Sequence, residues 1–455
     1  MTDSGATSNG EHQQVDCVDQ ALKRHRIDDT LTNEMRLTDL IDDCLEPIFL
    51  KLSIEDLVAI AHTNKQLKPA AASAFARKFG TKKIVLSNLK DDLPIDSRMD
   101  SVQVVDLNVS LRLLRSFGHK ISKLHIGHKK SMGSIVFSNR LLIQYANEYS
   151  KSLVEITFGP LASSELSLAA HESFPMVETV RVWRCNLRRF GQSEFDGCFP
   201  EIRRLEFVGN VPSNECIVDC LPNLEHLAIN TSSFMHIKGT LPISLALNPQ
   251  LLSLTLKTND ALFILRKGHP YLGLLESLSV TYDSKDLLNE HFGFEDNEVI
   301  QFESLRKLEV NFADFCCDSI PHIPFSSHRL TELKVSIGDC DHKTCNRLVR
   351  YLQKHQTVTK FTLINRSDPF WEPSNISEES KMKISQAMSS LQEADFWNIE
   401  FSTGEVKQFI GNCKMLHRFG FKLINGGDFN DLKKHLGSEW EASIDPNGNV
   451  KIVRK

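Results

Sequence analysis

A phrase of six positions, apolar-x-x-apolar-x-apolar, returns along most of the chain. It begins at Val102/Val105/Leu107 and continues at Ile121/Leu124/Ile126, Leu153/Ile156/Phe158, Val177/Val180/Val182 and Ile202/Leu205/Phe207. Leu224/Leu227/Ile229, Leu251/Leu254/Leu256, Leu275/Leu278/Val280 and Leu305/Leu308/Val310 follow. Then come Leu330/Leu333/Val335, Val358/Phe361/Leu363, a poor copy near Ala394/Trp397/Ile399 and a last one at Leu416/Phe419/Phe421. Eleven intervals from Ile121 to Leu416 give a mean period of about 27 residues. The alternation inside each phrase predicts one short strand per unit, and strands recurring at this spacing pair sideways into a curved parallel sheet. Between phrases the apolar residues fall at helical spacing, as in Leu348/Tyr351/Leu352, Ile384/Met388/Leu391 and Val406/Phe409/Ile410/Cys413, so the other half of each unit is an outer helix. Cys185, Asn210 and Asn259 each stand nine places into a unit, where a strand ends and backbone groups need partners.

The two ends are patterned differently. From Leu37 to Gly80 the apolar residues predict three short helices. Leu45, Ile48, Phe49 and Leu52 give the stripe of the first, Leu57, Ile60 and Ala61 that of the second, and Leu67, Ala71 and Phe75 that of the third. Asp42 or Asp43 is placed to cap the first helix, and Ser53 with Asp56 forms a short capping box for the second. Pro47 removes one backbone hydrogen bond inside the first helix. A module this small leans on a neighbour for stability. Ile84 and Leu86 predict a first strand, followed by a polar, proline-bearing loop. Trp440–Ile444 and Val450–Val453 around Asp445-Pro446-Asn447-Gly448 predict a β-hairpin that covers the sheet's last edge.

These residues carry two resemblances. The array resembles the leucine-rich repeat family over roughly residues 100–430, with irregular units. The N-terminal helices resemble the F-box family through Leu40-Ile41-Asp42-Asp43, Leu45-Glu46, Ile48-Phe49, Leu52-Ser53 and Glu55-Asp56-Leu57, in order and spacing. Three positions depart from that pattern: Ile41 replaces a proline, Asn64 a cysteine, and Leu67 an aromatic. The expected fold is α/β. An N-terminal three-helix F-box at 31–80 precedes an irregular leucine-rich repeat solenoid at 81–455, with its sheet inside, its helices outside and a hairpin cap near 440–455. The resemblance implies that Leu40, Ile41, Leu45, Ile48, Phe49, Leu52, Leu57 and Leu67 bind a Skp1-like adaptor. Through it they would join a cullin–RING ubiquitin ligase whose other subunits do the chemistry, while the repeats select an unknown protein substrate. The alternatives are a repeat scaffold whose degenerate F-box gives no ligase output, and an unrelated helical cap.

Composition narrows the classes. Hydrophobic residues at 41% and charged ones at 24% are ordinary for a globular protein, and a net charge of −5 gives no general attraction to nucleic acid or anionic membrane. Residues 1–30 are polar and read as a disordered tail without an apolar signal core, so the 11 cysteines are expected as reduced thiols in cytoplasm or nucleus. Lys23-Arg24-His25-Arg26 is a nuclear-import signal or a solvated charge run. The Asn-x-Ser/Thr triplets at Asn108, Asn230, Asn365 and Asn375 are then chance matches. No phosphate loop, HExxH, GxSxG or GxGxxG motif occurs, so neither an enzyme nor a cofactor is expected. Cys316, Cys317, His322, His328, Cys340, His342 and Cys345 are dense enough to suggest zinc, but lack paired CxxC spacing.

The substrate surface is expected on places three, five and seven of each unit. Place five reads His125, Thr157, Arg181, Glu206, Ala228, Thr255, Ser279, Glu309, Lys334 and Thr362. Place seven reads Trp183, Val208, Asn230, Lys257, Thr281, Asn311 and Ser336. Trp183 is an anchor or packs over Val208. Arg181, Arg184, Arg188, Arg189, Arg203 and Arg204 suit an acidic or phosphorylated target, unless Glu206 neutralises Arg181 and the rest form a solvated rim. The candidate binding set is Arg181, Trp183, Arg184, Arg204, Glu206, Val208 and Asn230.

Overall fold

A computed structural model describes residues 37–87, 100–127, 136–159, 161, 173–185, 197–209, 220–230, 241–258, 261–282, 299–312, 323, 325–337, 342–366, 376–424 and 429–455. The N-terminal tail, its basic run, Arg188, Arg189, Asn210, Asn259 and Asn375 lie outside them. The chain forms two compact units, one ending at Ile202 and one running from Arg203 to Lys455.

In the N-terminal unit, α1 (Asp42–Phe49), α2 (Ile54–Thr63) and α3 (Lys68–Phe79) close on Leu45, Phe49, Leu57, Ala71 and Phe75, all buried. Ser53 and Asp56 form the expected capping box, with the Asp56 N–H on Ser53 Oγ at 3.2 Å and the Ser53 N–H on Asp56 Oδ2 at 3.4 Å. The cap of α1 is not Asp42 or Asp43. Extended Ile41 takes that place, with no side-chain oxygen to accept a bond. The module packs against the next helix of the chain: Phe75 stacks on Phe117 of α4 (Leu107–Phe117) with ring centroids 4.7 Å apart.

The sheet of this unit is parallel, made of β1 (Lys83–Leu86), β2 (Ser101–Val104), β3 (Lys123–Ile126), β4 (Glu155–Phe158) and β5 (Thr179–Trp183). Its order is β2-β1-β3-β4-β5, so the first strand lies inside the second. The first phrase is also out of phase. Val102 and Val104 align with Ile84 and Leu86, Val105 is exposed, and Leu107 opens α4 behind Asp106, whose carboxylate accepts from the Val109 N–H at 2.8 Å. α5 (Val136–Tyr149) lies between β3 and β4 in sequence. Cys185 behaves as its place requires, donating to the Phe158 carbonyl at 3.4 Å.

The C-terminal unit repeats the pattern with β6 (Arg204–Val208), β7 (His226–Asn230), β8 (Ser253–Lys257) and β9 (Ser277–Tyr282). β10 (Ile300–Gln301) pairs with β12 (Phe325–Ser326) in a separate two-stranded sheet, while β11 (Lys307–Phe312), β13 (Glu332–Ile337), β14 (Lys360–Asn365), β15 (Glu393–Phe401) and β16 (Arg418–Leu423) continue the main one. Leu205, Leu227, Leu254, Leu278, Leu308, Leu333, Phe361, Ala394 and Phe419 run as one lateral row, all buried. The penultimate copy is therefore Leu391/Ala394/Phe396, not Ala394/Trp397/Ile399. The displacement comes from a bulge, where five steps of β15 from Asp395 to Glu400 face two of β16. The helices are α6 (Leu241–Leu247), α7 (Ala261–Gly268), α8 (His342–Lys354), α9 (Glu378–Ala387), α10 (Thr403–Asn412) and α11 (Phe429–Leu436).

The array ends in a hairpin of β17 (Trp440–Ile444) and β18 (Asn449–Arg454), and β18 pairs antiparallel with β16. The Asp445 carboxylate accepts from the N–H groups of Asn447 (2.8 Å) and Asn449 (2.9 Å), and Gly448 supplies the positive φ of +81° that the turn needs. Beneath it, Phe396, Phe401, Phe409, Phe419 and Phe421 form one aromatic cluster, with Phe409 and Phe419 stacked at 4.7 Å.

Candidate binding surfaces

Strand register decides which side chains share a face. Places four and six point into the core, leaving three, five and seven on the other face, as the alternation predicts. Within the C-terminal unit, Glu206, Ala228, Thr255, Ser279, Glu309, Lys334 and Thr362 are lateral neighbours, each half-buried. Cross-strand ion pairs lace this face. Lys307 and Lys360 both reach Glu332, at 3.4 and 3.1 Å; Lys334 reaches Glu309 at 2.7 Å; Arg418 meets Glu393 and Asp395, both at 3.4 Å. The paired lysines hold the Glu332 carboxyl below its usual range, outweighing its partial burial.

The described arginines of the expected cluster are engaged within their own units. Within the N-terminal unit Arg181 meets Glu155 at 3.8 Å, and within the C-terminal unit Glu206 pairs with Arg204 at 2.6 Å. Arg203 is paired with Glu225 at 2.7 Å. Val208 is half-buried and Asn230 exposed on the face.

Trp183 is not an exposed anchor. It is 7% exposed, its ring lies 6.3 Å from that of His125, and the Arg184 guanidinium sits 5.1 Å above it. Around it is a polar cluster taken out of water. Lys83 binds Glu155 at 2.5 Å and reaches Thr157 Oγ1 at 3.4 Å, and both Thr157 and His125 are buried. Burial, reinforced by Lys83, pushes His125 down to about 4. Burial would raise Glu155, but the bond and charge of Lys83, together with Arg181, hold its carboxyl below the usual range.

Among the described residues, the tryptophan that faces solvent is Trp397, 54% exposed beside Ile364, where place seven of its unit meets the bulge. Asn398 takes a left-handed φ of +56° there and donates to the Asn365 carbonyl at 3.1 Å. The sequence signal for Trp397 was present but masked by the misphased copy.

On the helical module, Leu45, Phe49, Leu57 and Leu67 fill the interior, so four of the eight residues assigned to the adaptor are not open to one. Ile41 (64% exposed) and Ile48 (38%) face outward with Leu37, and Leu40 and Leu52 are half-buried.

No protein-family model and no curated protein matches the chain. Among solved structures it is similar to the leucine-rich repeat-containing protein LegL7 from Legionella pneumophila, at 12% identity over 82% of this chain and 96% of that one, with a TM-score of 0.33. It is also similar to TLR13 in its complex with ssRNA13, at 12% identity over 74% and 64% of the two chains, with a TM-score of 0.27. The repeat architecture rests on the strand register above.

Among the described residues, no three His, Cys, Asp or Glu side chains are placed to hold a metal ion. Cys316, Cys317, His322 and Cys340, and the side chain of His342, lie outside them; Cys345 is buried and in no disulfide. No helix among the described residues is long and apolar enough to cross a membrane.

Proposed function

We propose that this chain is a substrate receptor of a Skp1–cullin–F-box ubiquitin ligase, holding a target protein on its repeat sheet and an adaptor on its N-terminal helices. The observation that carries the reading is the apolar surface of the helical module. Leu37, Ile41 and Ile48 remain in water although the module's own core is already filled by Leu45, Phe49 and Leu57. The F-box resemblance supplies a partner whose docking would cover them. Catalysis then belongs to other subunits and works by proximity, with this chain in a cytoplasmic or nuclear complex.

A repeat scaffold without ligase output is the second reading. Burial of Leu67, at a position where the family pattern has an aromatic, favours it. Proximity labelling in cells with the cullin blocked separates the two. Labelled neighbours that accumulate and lose their ubiquitin on blocking support the receptor. A neighbour set whose abundance and ubiquitination do not respond leaves the scaffold.

A further inference from the structure

The helix-bearing side of the C-terminal unit carries a second surface that the adaptor and sheet do not use. α8 has no Asp or Glu among its 13 residues, and its exposed Arg347, Arg350 and Lys354 stand at i, i+3 and i+7, on one side of the helix. That side borders a groove of about 620 Å³ between α8 and α9. Buried Val349 and Ala387 line it with Arg350, Lys383 and the amides of Gln353 and Gln386, and among the described residues its lining holds no carboxylate. At one end the Gln356 amide donates to the Gln353 carbonyl at 3.1 Å and to that of Ala387 at 3.4 Å, tying the two helix ends together. Lys383 pairs with Glu379 at 2.6 Å, a carboxylate that is largely in solvent.

We infer that this groove binds an acidic, extended segment of a partner protein. Carboxylates would pair with Arg350 and Lys383, and the glutamine amides, each donor and acceptor, suit a peptide backbone. The lining favours peptide over nucleic acid. Among the described residues it offers no aromatic ring for base stacking, and a chain of net charge −5 gives a polyanion little long-range attraction.

The test uses the full chain and a fluorescein-labelled peptide of alternating glutamate and glycine, followed by fluorescence anisotropy, with a glutamine-for-glutamate peptide and a 12-nucleotide single-stranded RNA as competitors. The glutamate peptide binds, weakens as salt rises, and outcompetes both. Arg350→Glu/Lys383→Glu weakens it about tenfold or more with adaptor binding unchanged. Gln386→Lys, adding a cation to the same lining, tightens it and provides a readout should the double variant fold poorly. Equal affinity in the charge-reversed and wild-type chains, tighter binding of the RNA, or no binding of the peptide at 100 μM in low salt each overturns the inference.

Discussion

Lys381 sits inside the C-terminal unit with the Glu405 carboxylate at 2.9 Å, the Glu400 carbonyl at 2.5 Å and the Phe401 ring at 4.7 Å. Glu405 is itself the acidic half of the capping box that starts α10, receiving the Ser402 N–H at 2.6 Å. Replacing one member strands the other in a dry place, so Lys381→Met should cost about 3–5 kcal/mol in urea unfolding, and Lys381→Met/Glu405→Leu should recover most of it. A small loss in the single variant contradicts the pairing. His125 has the opposite fate, held neutral by burial. Its folded value of about 4 lies below the ordinary 6.5, so the unfolded chain binds the extra proton. The stability His125 contributes is therefore present above pH 6.5 and is lost as pH falls toward 4. Between pH 7.5 and 5 the wild type should lose about 2 kcal/mol more than His125→Phe; parallel pH profiles would sink the assignment.

Within each element, the recurring phrase specified the strands because places four and six must be buried whatever the loops do. Where it misled, a local competitor supplied extra apolar residues. At Val102–Leu107 the cap at Asp106 starts a helix that borrows Leu107. At Leu391–Ile399 the bulge brings Trp397 and Ile399 into a false register. The burial of Trp183 was not legible for a different reason, since its place faces away from the core but it is covered beside His125, and single-strand alternation carries no information on such cover. The hairpin was readable from Asp445 to Gly448, and its role follows from its pairing. Removing residues 440–455 leaves β16 with unpaired N–H and C=O groups and uncovers the phenylalanine cluster, so the truncated chain should aggregate in light scattering where the full chain stays monodisperse. In the same cluster, Phe419→Ala should cost about 3–5 kcal/mol.

At the scale of the molecule, one chain carries two kinds of surface. The sheet face of the C-terminal unit is laced by ion pairs, and on the proposed receptor reading specificity falls to exposed apolar anchors such as Trp397. Trp397→Ala should weaken target capture by about tenfold or more while leaving unfolding unchanged, as expected of an exposed hot spot. The helical module has its core filled and an apolar patch left over, and a partner is the simplest cover. The direct test of that claim is calorimetric titration of a purified Skp1 adaptor into the full chain. The account predicts micromolar or tighter binding that Ile41→Asp/Ile48→Asp abolishes without lowering the melting temperature, because both side chains lie outside the core. No binding heat from the wild-type chain at tens of micromolar, or undiminished binding by the double variant, would contradict it.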